Sequence, residues 1–143
     1  MFKKIITFLL LFISVILFAN YSMDSNKDGK DDIWIKEGKE EIIISSDKDF
    51  NGSIDSNLTL DSLKRTVFEE TDYNQDGIMD NFCYYEDGFI VRQEVDSNFD
   101  QIVDIWVYIK NNGKFIYKYE KDVDFDGVVD KIKEFEEHKN DGE

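Results

Sequence analysis

Oxygen-bearing side chains recur at alternate places in the run Asp72-Tyr73-Asn74-Gln75-Asp76-Gly77-Ile78-Met79-Asp80. They fill places 1, 3, 5 and 9, with glycine at 6. Donors spaced in this way on a short loop can converge on one point, and the glycine turns the backbone so that the carbonyl at place 7 can join them. An all-oxygen donor set suits a hard divalent cation such as Ca²⁺, whereas softer metals want His or Cys. The pattern returns as Asp24-Ser25-Asn26-Lys27-Asp28-Gly29-Lys30-Asp31-Asp32 and Asp47-Lys48-Asp49-Phe50-Asn51-Gly52-Ser53-Ile54-Asp55. It returns again as Asp96-Ser97-Asn98-Phe99-Asp100-Gln101-Ile102-Val103-Asp104 and Asp122-Val123-Asp124-Phe125-Asp126-Gly127-Val128-Val129-Asp130. The starts lie 23, 25, 24 and 26 residues apart, and a near-constant period marks an array of stacked repeats. Asp, Asn and Gly are also ordinary turn residues, so the rival to chelation is a family of acidic turns.

The candidate metal ligands follow from places 1, 3, 5 and 9. They are Asp24, Asn26, Asp28 and Asp32; Asp47, Asp49, Asn51 and Asp55; Asp72, Asn74, Asp76 and Asp80; Asp96, Asn98, Asp100 and Asp104; and Asp122, Asp124, Asp126 and Asp130. Glu70, Glu94 and Glu120 each stand two residues before the first Asp of a loop and are candidates for a further ligand, the rival reading being an exposed strand-end glutamate. Gln101 takes the place of the glycine in the fourth loop, where a left-handed turn costs a side chain more. That loop is expected to bind most weakly. Asn51 removes a charge from the second loop and is expected to weaken it as well.

The elements that must carry these loops are strands. Each loop leads into a short apolar run, a turn and a second apolar run. Ile33-Trp34-Ile35 passes a turn at Glu37-Gly38-Lys39 into Ile42-Ile43-Ile44; Phe82 to Tyr85 passes Asp87-Gly88 into Phe89-Ile90-Val91; Ile105 to Ile109 passes Asn111-Asn112-Gly113 into Phe115 to Tyr119. Asp-Gly and Asn-Gly between β-branched and aromatic runs signal hairpins, and runs this short suit strands rather than helices. Alternation puts Trp106 with Tyr108 on one face of their strand, and Phe115, Tyr117 and Tyr119 on one face of the next. Trp34, Phe82 and Trp106 all lie ten residues after the first Asp of their repeat and are expected to stack as equivalent rungs of a packed column. The second repeat is the weakest: strands are expected around Leu58-Thr59-Leu60 and Thr66-Val67-Phe68, and a short helix over Asp61 to Lys64 stays open. The fifth runs through Ile132 and Phe135, where the last strand would be an edge. The expected fold is an all-β antiparallel meander of about five hairpin repeats and roughly nine strands, either a curled sheet or a partly closed barrel.

Composition bounds the partners. The chain has 143 residues and a formal net charge of −15, and Lys3 and Lys4 are the only charges before Asn20. So acidic a body excludes nucleic acid and an anionic membrane surface as partners. Of the 32 acids, 17 fall inside the five runs, which places the charge in patches rather than spreading it. Hydrophobic residues at 41% and aromatics at 15% are too many for a disordered polyanion. Met1-Phe2-Lys3-Lys4 followed by the apolar stretch Ile5 to Phe18 reads as a signal peptide spanning 1–19, with cleavage expected after Ala19; the alternative is a retained anchor. Residues 20–143 then form the repeat array of a protein that is secreted, periplasmic or held at the cell surface.

With Asp at 1, Asp or Asn at 3 and 5, Gly at 6 and Asp at 9, the loops resemble the first half of an EF-hand loop. They are most similar to the acidic loops of thrombospondin type 3 repeats and dockerins. The resemblance covers the five runs and not the strands, whose Asp-Gly hairpins are similar to MORN-like repeats. It implies Ca²⁺ as the bound ion. An EF-hand needs a bidentate Glu at place 12; here that place holds Ile35, Leu58, Cys83, Val107 and Lys133, which rules out the helix-loop-helix version. The functional expectation is an exported calcium-binding protein with a structural, adhesive or protein-binding role, its partner a protein or cell-surface component. It is expected to be non-catalytic: His138 sits in a polar tail, Cys83 in a strand pattern, and the acids recur periodically where a catalytic pair would be a single event. A metal-independent recognition module, MORN-like or antitoxin-like, is the alternative, and a secreted hydrolase the lesser one.

Overall fold

A computed structural model describes residues 20–137. The segment read as a signal peptide, and His138 with the residues after it, lie outside them. The described residues form one antiparallel sheet of ten strands in the order of the chain: β1 Asn20–Met23, β2 Ile33–Glu37, β3 Glu41–Ser46, β4 Ser56–Asp61, β5 Thr66–Thr71, β6 Asn81–Glu86, β7 Phe89–Val95, β8 Ile105–Lys110, β9 Phe115–Lys121 and β10 Lys131–Glu134. The fold is all-β and meandering as the pattern requires. It is an open sheet, since β1 and β10 lie at opposite edges and do not pair. Asp61 ends β4, and Ser62 to Lys64 form a turn and not a helix. Strand β1, which the sequence reading lacked, pairs Met23 with Ile33 and makes the count ten.

The acidic loops line one end of the sheet and the hairpin turns the other. Asp87 and Gly88 both have positive φ, 51° and 82°, the conformation that joins two strands through a two-residue turn with their natural twist. Three hairpins carry a β-bulge at equivalent places, where the register shifts at Thr59/Leu60, Tyr84/Tyr85 and Tyr108/Ile109. Val67, Val91 and Tyr117 are the extra residues. A bulge inverts the in-and-out alternation of the strand beyond it. Phe115, Tyr117 and Tyr119 therefore do not share a face: the Tyr117 ring lies 6.2 Å from Tyr108, while Tyr119 stands opposite Val107.

One sheet face is mixed aromatic and charged. Along it the residues opposite one another run Trp34, Ser45, Asn57, Glu70, Phe82, Glu94, Trp106 and Glu120. Phe82 and Trp106 do lie on one rung, but two strands apart with Glu94 between them. The expected aromatic column is therefore an alternation of rings and carboxylates. The other face carries Ile35, Ile44, Leu58, Glu69, Cys83, Gln93, Val107 and Tyr119 in register. No second layer covers either face among the described residues. Cys83 is the sole buried hydrophobic side chain among them, at 7% exposure, and burial pushes its thiol pKa up. Nor is any described helix long and apolar enough to cross a membrane.

Candidate metal centre

The loops share one wiring, set by the side chains that bond their own backbone most readily. In the third loop Asp72 accepts the N–H of Gln75 at 2.7 Å and of Gly77 at 2.7 Å. Asn74 accepts the N–H of Asp76 at 3.0 Å, and Asp76 that of Ile78 at 2.9 Å. Asp80 reaches back to the N–H of Tyr73 at 2.9 Å and of Asn74 at 3.3 Å. The same contacts from place 1 recur at Asp24, Asp96 and Asp122, while Asp47 accepts the N–H groups of Asn51 and Gly52. Place 9 reaches back to the N–H of place 2 at Asp32, Asp55, Asp104 and Asp130 as well. Such nested turns need left-handed residues. Place 6 supplies one in every loop, including Gln101 at φ 75°. Place 4 supplies another: Lys27, Phe50, Gln75, Phe99 and Phe125 have φ between 61° and 65°. No glycine or asparagine at place 4 announces that conformation, so the sequence reading missed it.

A backbone ladder ties neighbouring loops together. Asp80 donates its N–H to Thr71 at 3.0 Å and closes its own loop; Asp96 donates to the carbonyl of Asp80 at 2.8 Å and links that loop to the next. The equivalent links join Asp47 to Asp32, Asp72 to Asp55 and Asp122 to Asp104. The first and last aspartates of the loops thus form a row across the sheet. Eight of them, Asp32, Asp47, Asp55, Asp72, Asp80, Asp96, Asp104 and Asp122, are only 1–5% exposed. Asp24 is half-buried and Asp130 exposed, because each stands at an end of the row. The ligand candidates at places 3 and 5 are exposed in every loop.

These aspartate clusters can hold a metal ion. In the second loop Asp47, Asp49 and Asp55 bring a carboxylate oxygen each within 4.8 Å of the others, and in the fifth Asp122, Asp124 and Asp126 do the same. The first, third and fourth loops gather no such trio among the described residues. They carry Asn at place 3, and Asn26, Asn74 and Asn98 turn their amide N–H onto Asp28, Asp76 and Asp100 at 3.3, 2.9 and 2.9 Å. That occupies one oxygen of the place-5 carboxylate and leaves two further carboxylates at places 1 and 9, whereas in the second loop Asn51 turns its amide onto Asp49 at 2.8 Å within the trio. In the fifth loop the charges are unrelieved: Asp126 and then Asp130 raise the pKa of Asp124 above the usual carboxylate value.

The fit is sharpest in the second loop. Asp55 is 2% exposed, and its Oδ2 accepts the N–H groups of Lys48 and Asp49. Its Oδ1 is buried and has no partner. An orphaned carboxylate oxygen is expensive to bury, and this one belongs to a residue whose carboxylate gathers with those of Asp47 and Asp49. In the fourth loop the equivalent position is filled, since Ser97 donates its hydroxyl to Asp104 Oδ1 at 2.7 Å.

Glu70, Glu94 and Glu120 are engaged elsewhere. They lie on the mixed sheet face, where Tyr84 and Arg92 bind Glu94, Tyr108 and Lys118 bind Glu120 at 2.8 and 2.7 Å, and Asn57 binds Glu70 at 2.8 Å. Arg92 and Lys118 also sit over the rings of Tyr84 and Tyr108, at 4.7 and 5.0 Å. The glutamates thus hold the sheet face, and the loops must complete any ion's shell with backbone carbonyls or water. No family model matches the chain, and a search of curated proteins returns no match.

Proposed function

We propose that the chain is an exported calcium-binding repeat protein whose ions set the rigidity of the loop end of the sheet. Its role is structural, adhesive or protein-binding, without catalysis. The observation that carries this reading is Asp55, which has a buried carboxylate oxygen without a partner and whose carboxyl group gathers with those of Asp47 and Asp49. Carboxylates and carbonyls on a flexible loop favour Ca²⁺, which tolerates irregular shells of six to eight oxygens, over Mg²⁺, which demands a near-ideal octahedron. Export rests on the apolar leader before Asn20.

The energetic consequence is large for a single-layer sheet. A site with a dissociation constant of about 10 μM that meets about 1 mM Ca²⁺ adds ~2.7 kcal/mol. Two such sites rival half of an ordinary domain's stability. Calorimetric titration with Ca²⁺, run beside a Mg²⁺ titration and a thermal melt in chelator, tests the reading. Heat of binding and a higher melting temperature in calcium are expected, with the second and fifth loops filling first. No heat together with identical melts overturns it. The internally bonded loops would then favour the metal-independent hairpin module, in which the nested turns suffice.

A further inference from the structure

The two edges of the sheet are complementary halves of the repeat. In every internal repeat the residue after the loop's last Asp stands opposite the residue before the next loop's first Asp: Ile33 opposite Ser46, Ser56 opposite Thr71, Asn81 opposite Val95, Ile105 opposite Lys121. Strand β10 comes after Asp130 and is, among the described residues, a first strand without a second. Strand β1 precedes Asp24 and is, among the same residues, a second strand without a first. Among the described residues they are the only strands in which every residue is exposed. They also flank the two loop-end aspartates that are not buried, Asp130 and Asp24.

We infer that β10 of one copy pairs antiparallel with β1 of another, continuing the sheet from chain to chain. The internal register fixes the pairing. Lys131 faces Met23, Ile132 faces Ser22, Lys133 faces Tyr21 and Glu134 faces Asn20 of the second copy. Asp24 N–H of the second copy donates to the Asp130 carbonyl, as Asp122 N–H donates to Asp104 at 2.9 Å within one chain. Strand β1 carries no charged side chain, so no like-charged pair opposes the match. Exposed Tyr21, Met23 and Ile132, at 56%, 51% and 57%, gain cross-strand neighbours. Asp130 and Asp24 then take the places that Asp104 and Asp122 hold inside the chain, so the row of buried aspartates runs on unbroken. The contact is head-to-tail, joining two different patches, so it propagates rather than closing as a symmetric dimer does.

The test uses protein purified from a host that exports it, at physiological salt so that the net negative charge is screened. Sedimentation velocity from micromolar to hundreds of micromolar should show mass rising through multiples of the monomer. Ile132→Pro, which removes an N–H on the outer side of β10, should abolish the rise. A chain carrying both Met23→Cys and Lys131→Cys should oxidise to a ladder of covalent multimers, because directly opposite side chains have Cβ atoms about 4.5–5.5 Å apart, near disulfide spacing. Ser22→Cys with Lys131→Cys places the two thiols on opposite faces and should give no ladder. Cys83 stays in place as a buried control. Monomer at every concentration with no ladder overturns the inference; an edge already covered by another part of the same chain, or guarded by Lys131 and Lys133, gives that result. Equal ladders from both cysteine pairs overturn the register. Neither outcome depends on whether the loops bind calcium, so the two readings fail separately.

Discussion

Replacing Asp55 by Asn separates the ion from the fold. The amide keeps the shape of the side chain, and its oxygen can still accept the N–H groups of Lys48 and Asp49. Its nitrogen takes the place of the orphaned Oδ1 and removes the buried unsatisfied acceptor. Without metal, two effects oppose each other. Removing a buried unsatisfied acceptor gains about 1–3 kcal/mol, while two charge-assisted bonds become neutral ones at a loss of about 0.5–1 kcal/mol each. The variant in chelator should therefore lie between about 1 kcal/mol below the wild type and about 2 kcal/mol above it. That is a change in melting temperature between about −5 and +10 °C at about 3–5 °C per kcal/mol.

In calcium the sign reverses. The wild-type loop gains ~2.7 kcal/mol at a hundredfold excess over its dissociation constant, which the variant loses. The calcium-induced rise in melting temperature should shrink by about 10 °C. Differential scanning calorimetry of both proteins in chelator and in calcium gives the full cycle. Asp104→Asn is the matched control, because Ser97 already occupies Asp104 Oδ1 and no orphan is relieved. It should be less stable than the wild type in chelator. An Asp55→Asn protein that keeps the full calcium-induced rise would refute the assignment of the second loop. One that is several kcal/mol less stable in chelator would show that Oδ1 is not an orphan.

Other substitutions probe the parts that hold the loops. Gln101→Gly should stabilise the protein by about 1 kcal/mol, because a left-handed residue at φ 75° costs a side chain about 1–2 kcal/mol and glycine returns part of that as chain entropy; chemical denaturation reads the change. Glu94→Gln should lower stability by about 1–2 kcal/mol and leave the calcium isotherm unchanged, since Glu94 is spent on Tyr84 and Arg92; a weakened isotherm would return it to the ligand set. Burial, then Cys83 and Glu69, push Tyr85 up to about 12 from 10.0. The folded state thus holds that proton after the unfolded chain releases it. Its contribution to stability is whole below pH 10 and is lost as pH rises toward 12, and ultraviolet titration should show tyrosine ionisation continuing beyond pH 11.

The hairpins were legible because their signals are local. Asp87-Gly88 and Asn111-Asn112-Gly113 need positive φ, which their residue types tolerate at small cost, and the apolar runs between them alternate with a strand's period. The bulges were not legible. Nothing in Val67, Val91 or Tyr117 says that the partner strand is one residue short, and one unpaired residue sends Phe115 and Tyr119 to opposite faces. The glutamates before the loops misled for a related reason. Their sequence distance to the first Asp is short, but alternation turns them onto a sheet face where Glu94 and Glu120 meet Tyr84 and Tyr108 on the neighbouring strands and Arg92 and Lys118 two residues back on their own. The loop wiring was half legible: Asp and Asn at places 1, 3 and 5 are the residues that fold back on their own backbone, whereas the left-handed Phe50, Phe99 and Phe125 carry no such mark.

A domain of this size ordinarily hides leucines and phenylalanines, yet the most deeply buried side chains here are Asp55, Asp80 and Asp122. A carboxylate accepts and never donates, so a row of buried aspartates is tenable only where donors converge. The backbone supplies them, two or three N–H groups to each aspartate at the start of a loop. That arrangement satisfies hydrogen bonds but leaves the charge. Each internal loop-end aspartate is joined through the backbone to the first aspartate of the next loop, so charge accumulates along the row instead of dispersing. Backbone dipoles can offset an isolated carboxylate. A cluster such as Asp122, Asp124 and Asp126, where the pKa of Asp124 is already raised, needs a counter-charge. The lysines do not provide it, for Lys118 turns to Glu120 on the sheet face and Lys121 lies over the ring of Phe125. A cation held at these clusters would supply that counter-charge.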